Sequence, residues 1–282
     1  MTKLREKMIK DMKIRRLAEK TQQAYISSVA NLALYYQKSP DLLNEEKVLD
    51  YLFHLMEERK LSWSTCNVAA SAINFLYQVT LAQRQIRVKI PPRRSQKKLP
   101  QVLSKEELER LFNAAANQKH RVMLMTTYAG GFRVSELVRL KPIHIEREPM
   151  LIRVDQGKGN KDRYTLLSER LLLELRDYWM AYRPMTWLFP GRNPDKPLTT
   201  KSAEYAYNIA KQKAGIKRGR GIHTLRHCFA THLLEAGVDL RTIQMLMGHR
   251  SIITTMIYFQ ITSKRLTTIK SPLDLIDFPK NN

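Results

Sequence analysis

The chain has 282 residues, 43% of them hydrophobic, and sets 49 Lys and Arg against 26 Asp and Glu for a formal charge of +23. That length allows two domains with a core each, and that charge asks for a polyanionic partner, nucleic acid first, through release of condensed counterions. With no run of about 18 apolar residues, no apolar signal core in the charge-mixed stretch 1–16 and two cysteines only, Cys66 and Cys228, membrane-spanning, secreted and Cys-zinc classes are set aside and a reducing cytoplasm is expected.

In chain order, residues 1 to about 85 read as helices. Thr21 is placed to cap one with Tyr25, Val29, Leu32 and Tyr36 on a stripe, and Asn44 another carrying Val48, Leu52 and Leu55. A further helix from Ser64 is expected to bury Val68, Ala72 and Leu76. Four short helices with short connections predict a compact bundle. Residues 87–100, RVKIPPRRSQKKLP, combine prolines with a run of cations, a composition that resists helix and stays solvated. They are expected to link a domain at 1–86 to a second at 101–282, with Arg93, Arg94, Lys97 and Lys98 tracking phosphates. Charge divides between the two parts: 19 basic against 9 acidic residues up to position 100, and 30 against 17 after it. Both are therefore expected to face the same anion.

Ser104 with Glu107 makes a capping-box pattern ahead of Leu108, Leu111 and Phe112, so the second domain opens on a helix. A more apolar helix around 122–128 ends at Gly130 and Gly131, and Arg133 to Leu140 suggests a short one. Residues 151–154 and 164–167 predict strands joined by the turn-rich GKGNKDR at 157–163, the one clear β element. Helices resume at 169–182, 202–214, 223–236 and 241–247, with Gly237 and Gly248 in C-terminal cap positions. The fold class is mainly α with a small β-hairpin: a four-helix N-terminal domain, then a mixed α+β one.

Several residues of the second domain suit phosphodiester chemistry. Breaking such a bond through an enzyme nucleophile requires stabilising a doubly negative phosphoryl group, supplying the nucleophile and protonating the departing oxygen. In HTLRH, His223 and Arg226 stand three apart and share a helix face; the arginine fork can bond two phosphate oxygens at once, though a surface salt bridge fits the same spacing. In GGFRVSELVRL, Arg133 follows the glycine break with Glu136 one turn on, either fixing the guanidinium or forming a plain structural ion pair. Lys158 sits at a hairpin tip from which it could reach a leaving oxygen as general acid; Lys161 and Arg163 beside it read as backbone-phosphate contacts. In MGHRSIITTMIYF, His249 follows a helix-ending glycine and Tyr258 lies on the next helical segment, where half-buried packing is the ordinary role of a tyrosine. Its phenol would need adjacent cations or a base to become a nucleophile.

An arginine after a glycine turn and before S-E-L, a lysine in G-K-G-x-K, then H-x-L-R-H and G-H-x-x-x-x-T-T-x-x-Y, in that order, resemble the tyrosine recombinase (phage integrase) family through the whole second domain. Phe132 and Met247 depart from its usual leucines without removing a functional group. The first domain is similar to the family's helical SAM-like core-binding domain through T-x-x-A-Y at 21–25, its size and the basic linker; the closest look is to short bacterial Xer-like integrases. The resemblance implies a phosphate clamp of Arg133 and Arg226, Lys158 as general acid, His223 as proton acceptor, His249 supporting the scissile phosphate, and Tyr258 as the covalent nucleophile. It also implies double-stranded DNA as partner, no metal, ATP or other cofactor, and a homotetramer assembled on DNA. No further DNA-arm domain is expected ahead of residue 1. The tail past Arg265, with Leu273, Leu275, Ile276 and Phe278, suits either a helix donated to a neighbouring protomer or one packed on its own domain. Competing functions are a type IB topoisomerase and a noncatalytic DNA-binding regulator.

Overall fold

The computed structural model describes residues 2–83, 86–91, 99–155 and 162–259. The chain divides into two compact units, Met1–Gln96 and Lys97–Asn282.

In the first unit, α1 (Lys3–Ile14) is capped by Thr2 and buries Met8 and Met12. The next helix, α2 (Glu19–Tyr36), starts three residues earlier than expected: Ala18 stands at the cap without a side-chain bond, and Thr21 lies inside the first turn. Asn44 does cap α3 (Glu45–Phe53), accepting from the Lys47 amide at 3.1 Å, and Ser62 caps α4 (Trp63–Phe75). Both α3 and α4 run on into a π-helical turn. Val48, Leu52, Leu55, Ala72 and Leu76 enter the core with Val29 and Leu32, whereas Tyr25 and Tyr36 pack only partly against it. Val68 is 37% exposed instead of buried, because Ala69, Ala72 and Ile73 already occupy the packed face of α4.

Residues 87–91, assigned from composition to the linker, are pinned to this unit together with Ile86. Ile86 and Val88 are buried in its core. The Asn74 side chain donates to the Val88 carbonyl at 2.7 Å and accepts its amide at 2.9 Å, and Trp63 Nε1 donates to the Pro91 carbonyl at 2.9 Å. A side-chain amide satisfying both polar groups of one residue imitates a strand pairing, so the segment stays put despite its prolines. Arg93, Arg94, Lys97 and Lys98 lie outside the described residues.

The second unit opens on α5 (Lys105–Asn113) with the expected Ser104–Glu107 capping box. The following helix, α6 (Gln118–Ala129), is buried from Val122 to Thr127 on successive residues and so reads as an all-round core helix. Around it pack α5, α8 (Glu169–Tyr182), α9 (Thr200–Lys213) and α10 (His223–Glu235). Between α6 and the sheet lies α7 (Val134–Leu137), a single turn rather than the longer helix expected to Leu140. The sheet has three antiparallel strands, β1 (Ile145–Glu146), β2 (Leu151–Val154) and β3 (Arg163–Leu166), in that order, with Ile152 opposite both Ile145 and Thr165. The two-residue β1 is too short to leave a periodic signal. Two short helices, α11 (Leu240–Met247) and α12 (Ile252–Phe259), close the described chain.

Candidate active site

The α6–α7 loop and the end of α11 meet at the first turn of α10. His223 opens that helix, and Arg226 and His227 follow three and four positions later, so all three side chains share a face. Arg226 is 4% exposed. Burial, then repulsion from Arg133, pull its pKa down to about 9, opposed by Glu136; it keeps its charge at neutral pH. Its guanidinium donates to the carbonyls of Gly131 and Met247. Only a residue without a side chain fits the first of these positions: Gly131 has φ +60°, and an added Cβ would lie 2.3 Å from the Phe229 ring.

Arg133 follows directly, and Glu136 turns back on it, accepting the Arg133 amide at 2.9 Å and one guanidinium nitrogen at 2.6 Å. The other terminal nitrogen donates to the Gly248 carbonyl at 3.2 Å. Arg163, expected to touch DNA phosphate, instead turns inward: it grips both Glu136 oxygens at 3.0 and 2.9 Å and donates its Nε to the Leu246 carbonyl at 2.8 Å. Thus three consecutive carbonyls at the end of α11, those of Leu246, Met247 and Gly248, each accept from a different arginine. A helix C-terminus presents unsatisfied carbonyls and a partial negative charge, which is why it can hold cations this close together. Burial alone would raise the Glu136 carboxyl, but Arg163 and then Arg133 reverse this and hold it at about 2. One carboxylate among three guanidinium groups leaves a net positive cluster.

Gly248, in the left-handed region at φ 62°, ends α11 and turns the chain to His249. The His249 Nδ1 pairs with the buried Thr255 hydroxyl at 2.9 Å, and burial followed by Arg226 lowers its pKa to about 4. Tyr258, on α12, is 3% exposed and packs with Phe229, Leu246 and Met247. Its hydroxyl lies 3.0 Å from His227 Nδ1. Burial pushes the phenol up to about 12, while Arg226 and Arg133 both favour the phenolate. His223 stands exposed at the rim, its pKa lowered by the surrounding protein and then by Arg226.

Arg133, His223, Arg226, His227, His249 and Tyr258 line one open cleft of about 660 Å³. Five of the six residues expected to carry chemistry therefore meet, with Glu136 beneath them; Lys158 and its neighbour Lys161 lie outside the described residues, as does the tail past Arg265. His227 was not among the expected residues. The signal for it was present, since it stands four positions after His223 and next to Arg226, on the face already singled out.

Residues 101–265 match the Phage integrase family, and residues 4–87 match Phage integrase, N-terminal SAM-like domain. The chain belongs to the phage integrase family. Among its integrase relatives, the "Putative integrase/recombinase y4qK" of Sinorhizobium fredii (strain NBRC 101917 / NGR234) is 40% identical over 280 residues, 99% of this chain and 91% of the relative. "Tyrosine recombinase XerD" of Caulobacter vibrioides (strain ATCC 19089 / CIP 103742 / CB 15) is 34% identical over 252 residues, 81% of this chain and 82% of its own. In fold, this integrase chain resembles the XerH site-specific recombinase bound to palindromic difH substrate in a post-cleavage complex, with a TM-score of 0.70 at 23% identity, covering 87% of this chain and 77% of that one.

Proposed function

We propose that this integrase is a site-specific DNA recombinase in which Tyr258 cuts and rejoins strands through a covalent 3′-phosphotyrosine. The observation that carries the reading is the meeting of Arg133, Arg226, His223, His249 and Tyr258 around a single cleft. Arg133 and Arg226 hold the nonbridging oxygens of the scissile phosphate; a guanidinium carries five N–H donors, so bonds to carbonyls and Glu136 do not exhaust either fork. The Tyr258 oxygen bonds to phosphorus as the bond to the 5′ oxygen breaks, and Lys158 supplies that oxygen's proton. Bond energy stays in the phosphotyrosine, and a 5′ hydroxyl from a partner duplex reverses the step. His249, fixed by Thr255, and His223 at the rim face the same phosphate.

Exchange between two duplexes cuts four strands, which calls for four protomers in a closed ring on DNA. The cytoplasm, where such DNA is reached, is the assigned compartment. Lys161 and the linker cations Arg93, Arg94, Lys97 and Lys98 contact the sugar-phosphate backbone in this reading. The relatives' names, recombinase and integrase, support recombination over topoisomerase-like relaxation or noncatalytic regulation. The test is to trap protein-linked DNA from the protein's own genome and sequence the attached strand. Tyr258→Phe is expected to abolish the adduct and leave DNA binding within about twofold of the parent; persistent adduct in that variant removes Tyr258 from the role.

A further inference from the structure

Acidic residues are unevenly placed along the first unit. Of the nine up to position 100, three precede Asp41, six lie from Asp41 to Glu58, and none lies from 59 to 100, a stretch that carries nine Lys and Arg. A polyanion is therefore drawn to the part of the unit made by α4 and the chain that follows it.

In that part, residues 86–91 form a strap whose burial alternates: Ile86 and Val88 are buried and Ile90 half-buried, whereas Arg87 and Lys89 are exposed. This is the two-residue period of an extended chain, so both cations leave on one side, about 6.5 Å apart along the backbone. Neighbouring phosphates of one DNA strand are separated by a similar distance. Among the described residues neither cation makes an ion pair. One helix holds the strap at two points. Asn74 of α4 closes on Val88, between the two cations, with bonds of 2.7 and 2.9 Å, and Trp63 at the start of the same helix donates to the Pro91 carbonyl at 2.9 Å. The residue separating the cations thus has both its polar backbone groups satisfied inside the protein, and the ridge is set before any partner arrives.

We propose that this strap is a binding site for the DNA backbone: Arg87 and Lys89 contact neighbouring phosphates of one strand, and Asn74 and Trp63 are positioning residues that fix the two cations in advance. The inference rests on duplex DNA being the partner and is independent of the chemistry at Tyr258. Arg87 can bond two oxygens of one phosphate with its fork, and Lys89 supplies a point charge to the next. A cation on a free segment surrenders backbone freedom when it meets a phosphate. On the clasped strap that freedom is already lost on folding, so the same contact binds more tightly. The clasp therefore adds to affinity without touching DNA itself.

The test measures binding of the full-length protein to a short duplex of arbitrary sequence over a range of salt concentrations, since phosphate contacts carry no sequence information. Replacing Arg87 and Lys89 together by alanine is expected to lower the slope of log affinity against log salt by about 1.8. Asn74→Ala keeps both charges but frees the strap, so it is expected to weaken binding about tenfold and leave the slope unchanged. Trp63→Phe keeps the ring and loses only the N–H; it is expected to melt like the parent and to weaken binding about threefold. Once both cations are gone, neither Asn74→Ala nor Trp63→Phe should cost further affinity, because the strap then has nothing to present. A parent slope in the variant lacking Arg87 and Lys89 overturns the phosphate contact. Parent-like affinity in both clasp variants overturns the positioning role; so does an equal loss with and without the cations, which would make the clasp a structural brace. Failure of the parent itself to bind any duplex would sink the DNA reading, a distinct result.

Discussion

Glu136 shows how a single side chain can decide whether a cationic site exists at all. Three guanidinium groups within one cluster repel, and the buried carboxylate between Arg133 and Arg163, 3.8 Å from Arg226, makes their proximity tolerable. A carboxyl held at about 2 against an ordinary 4.5 contributes stability on the order of 3 kcal/mol. Glu136→Gln keeps the shape and removes the charge, so urea denaturation at neutral pH is expected to show a loss of about that size, together with loss of adduct formation. A change below about 0.5 kcal/mol would show that the cluster does not depend on it. The sign with pH follows from a depressed carboxyl: its contribution is complete above 4.5 and disappears as pH falls through about 2, so the gap between parent and variant should close over that window. His227 and His249 act at higher pH. Both are neutral when folded, with pKa values of about 4 against 6.5, and an unfolded chain binds their protons first. Melting temperature is therefore expected to fall as pH drops from 6.5 toward 4, and to fall less with inorganic phosphate in the cleft; an unchanged melting temperature across that range would contradict the half-buried neutral pair.

At the level of elements, the end of α11 organises the site, and Gly248 is where this can be tested. Its φ of 62° costs an L-residue about 1–2 kcal/mol, and a Cβ there would lie 2.8 Å from Arg163 Cδ. Gly248→Ala is expected to lower stability by about that amount and to reduce adduct yield more than a comparable loss placed elsewhere, since the carbonyl that accepts from Arg133 and the stem of Arg163 both shift. Parent-like yield at reduced stability would show that the α11 end is scaffolding only. The same region marks the border of what spacing could reveal. Caps at Asn44 and Ser104 and the run of helices from α8 to α11 were legible because their physics is local: a side chain meets an amide two or three residues away. Arg163 was misread because its partners are remote, Glu136 lying 27 positions back and Leu246 lying 83 positions ahead. In its own neighbourhood it is one more cation in a turn. Val68 and Thr21 failed for a related reason: helical period gives a stripe, but which edge of the stripe is packed, and which residue starts the helix, depends on neighbours brought in by the fold.

Across the whole molecule, each unit has its own core, and the charge of +23 is distributed over both. Most of that charge must serve DNA in general rather than the scissile phosphate, since the cleft uses only a few cations. Counterion release makes this measurable: the logarithm of the binding constant falls with the logarithm of salt concentration by about 0.9 for every phosphate neutralised. Residues that touch the backbone therefore flatten the slope when removed, and residues satisfied inside the protein do not. The two classes can be compared directly. Lys97 and Lys98, in the basic stretch 87–100, are assigned to the backbone, so replacing both with alanine is expected to reduce the slope by about 1.8 and to weaken binding alike for cognate and unrelated duplexes. Arg163 carries the same formal charge but spends its fork on Glu136 and Leu246. Arg163→Ala is expected to leave the salt slope unchanged while adduct formation collapses, because it loosens Glu136 and, through it, Arg133. A slope reduced by about one in Arg163→Ala would restore the phosphate contact suggested by its place in the GKGNKDR turn. An unchanged slope with intact cleavage would reduce the inner ion pair to a structural brace.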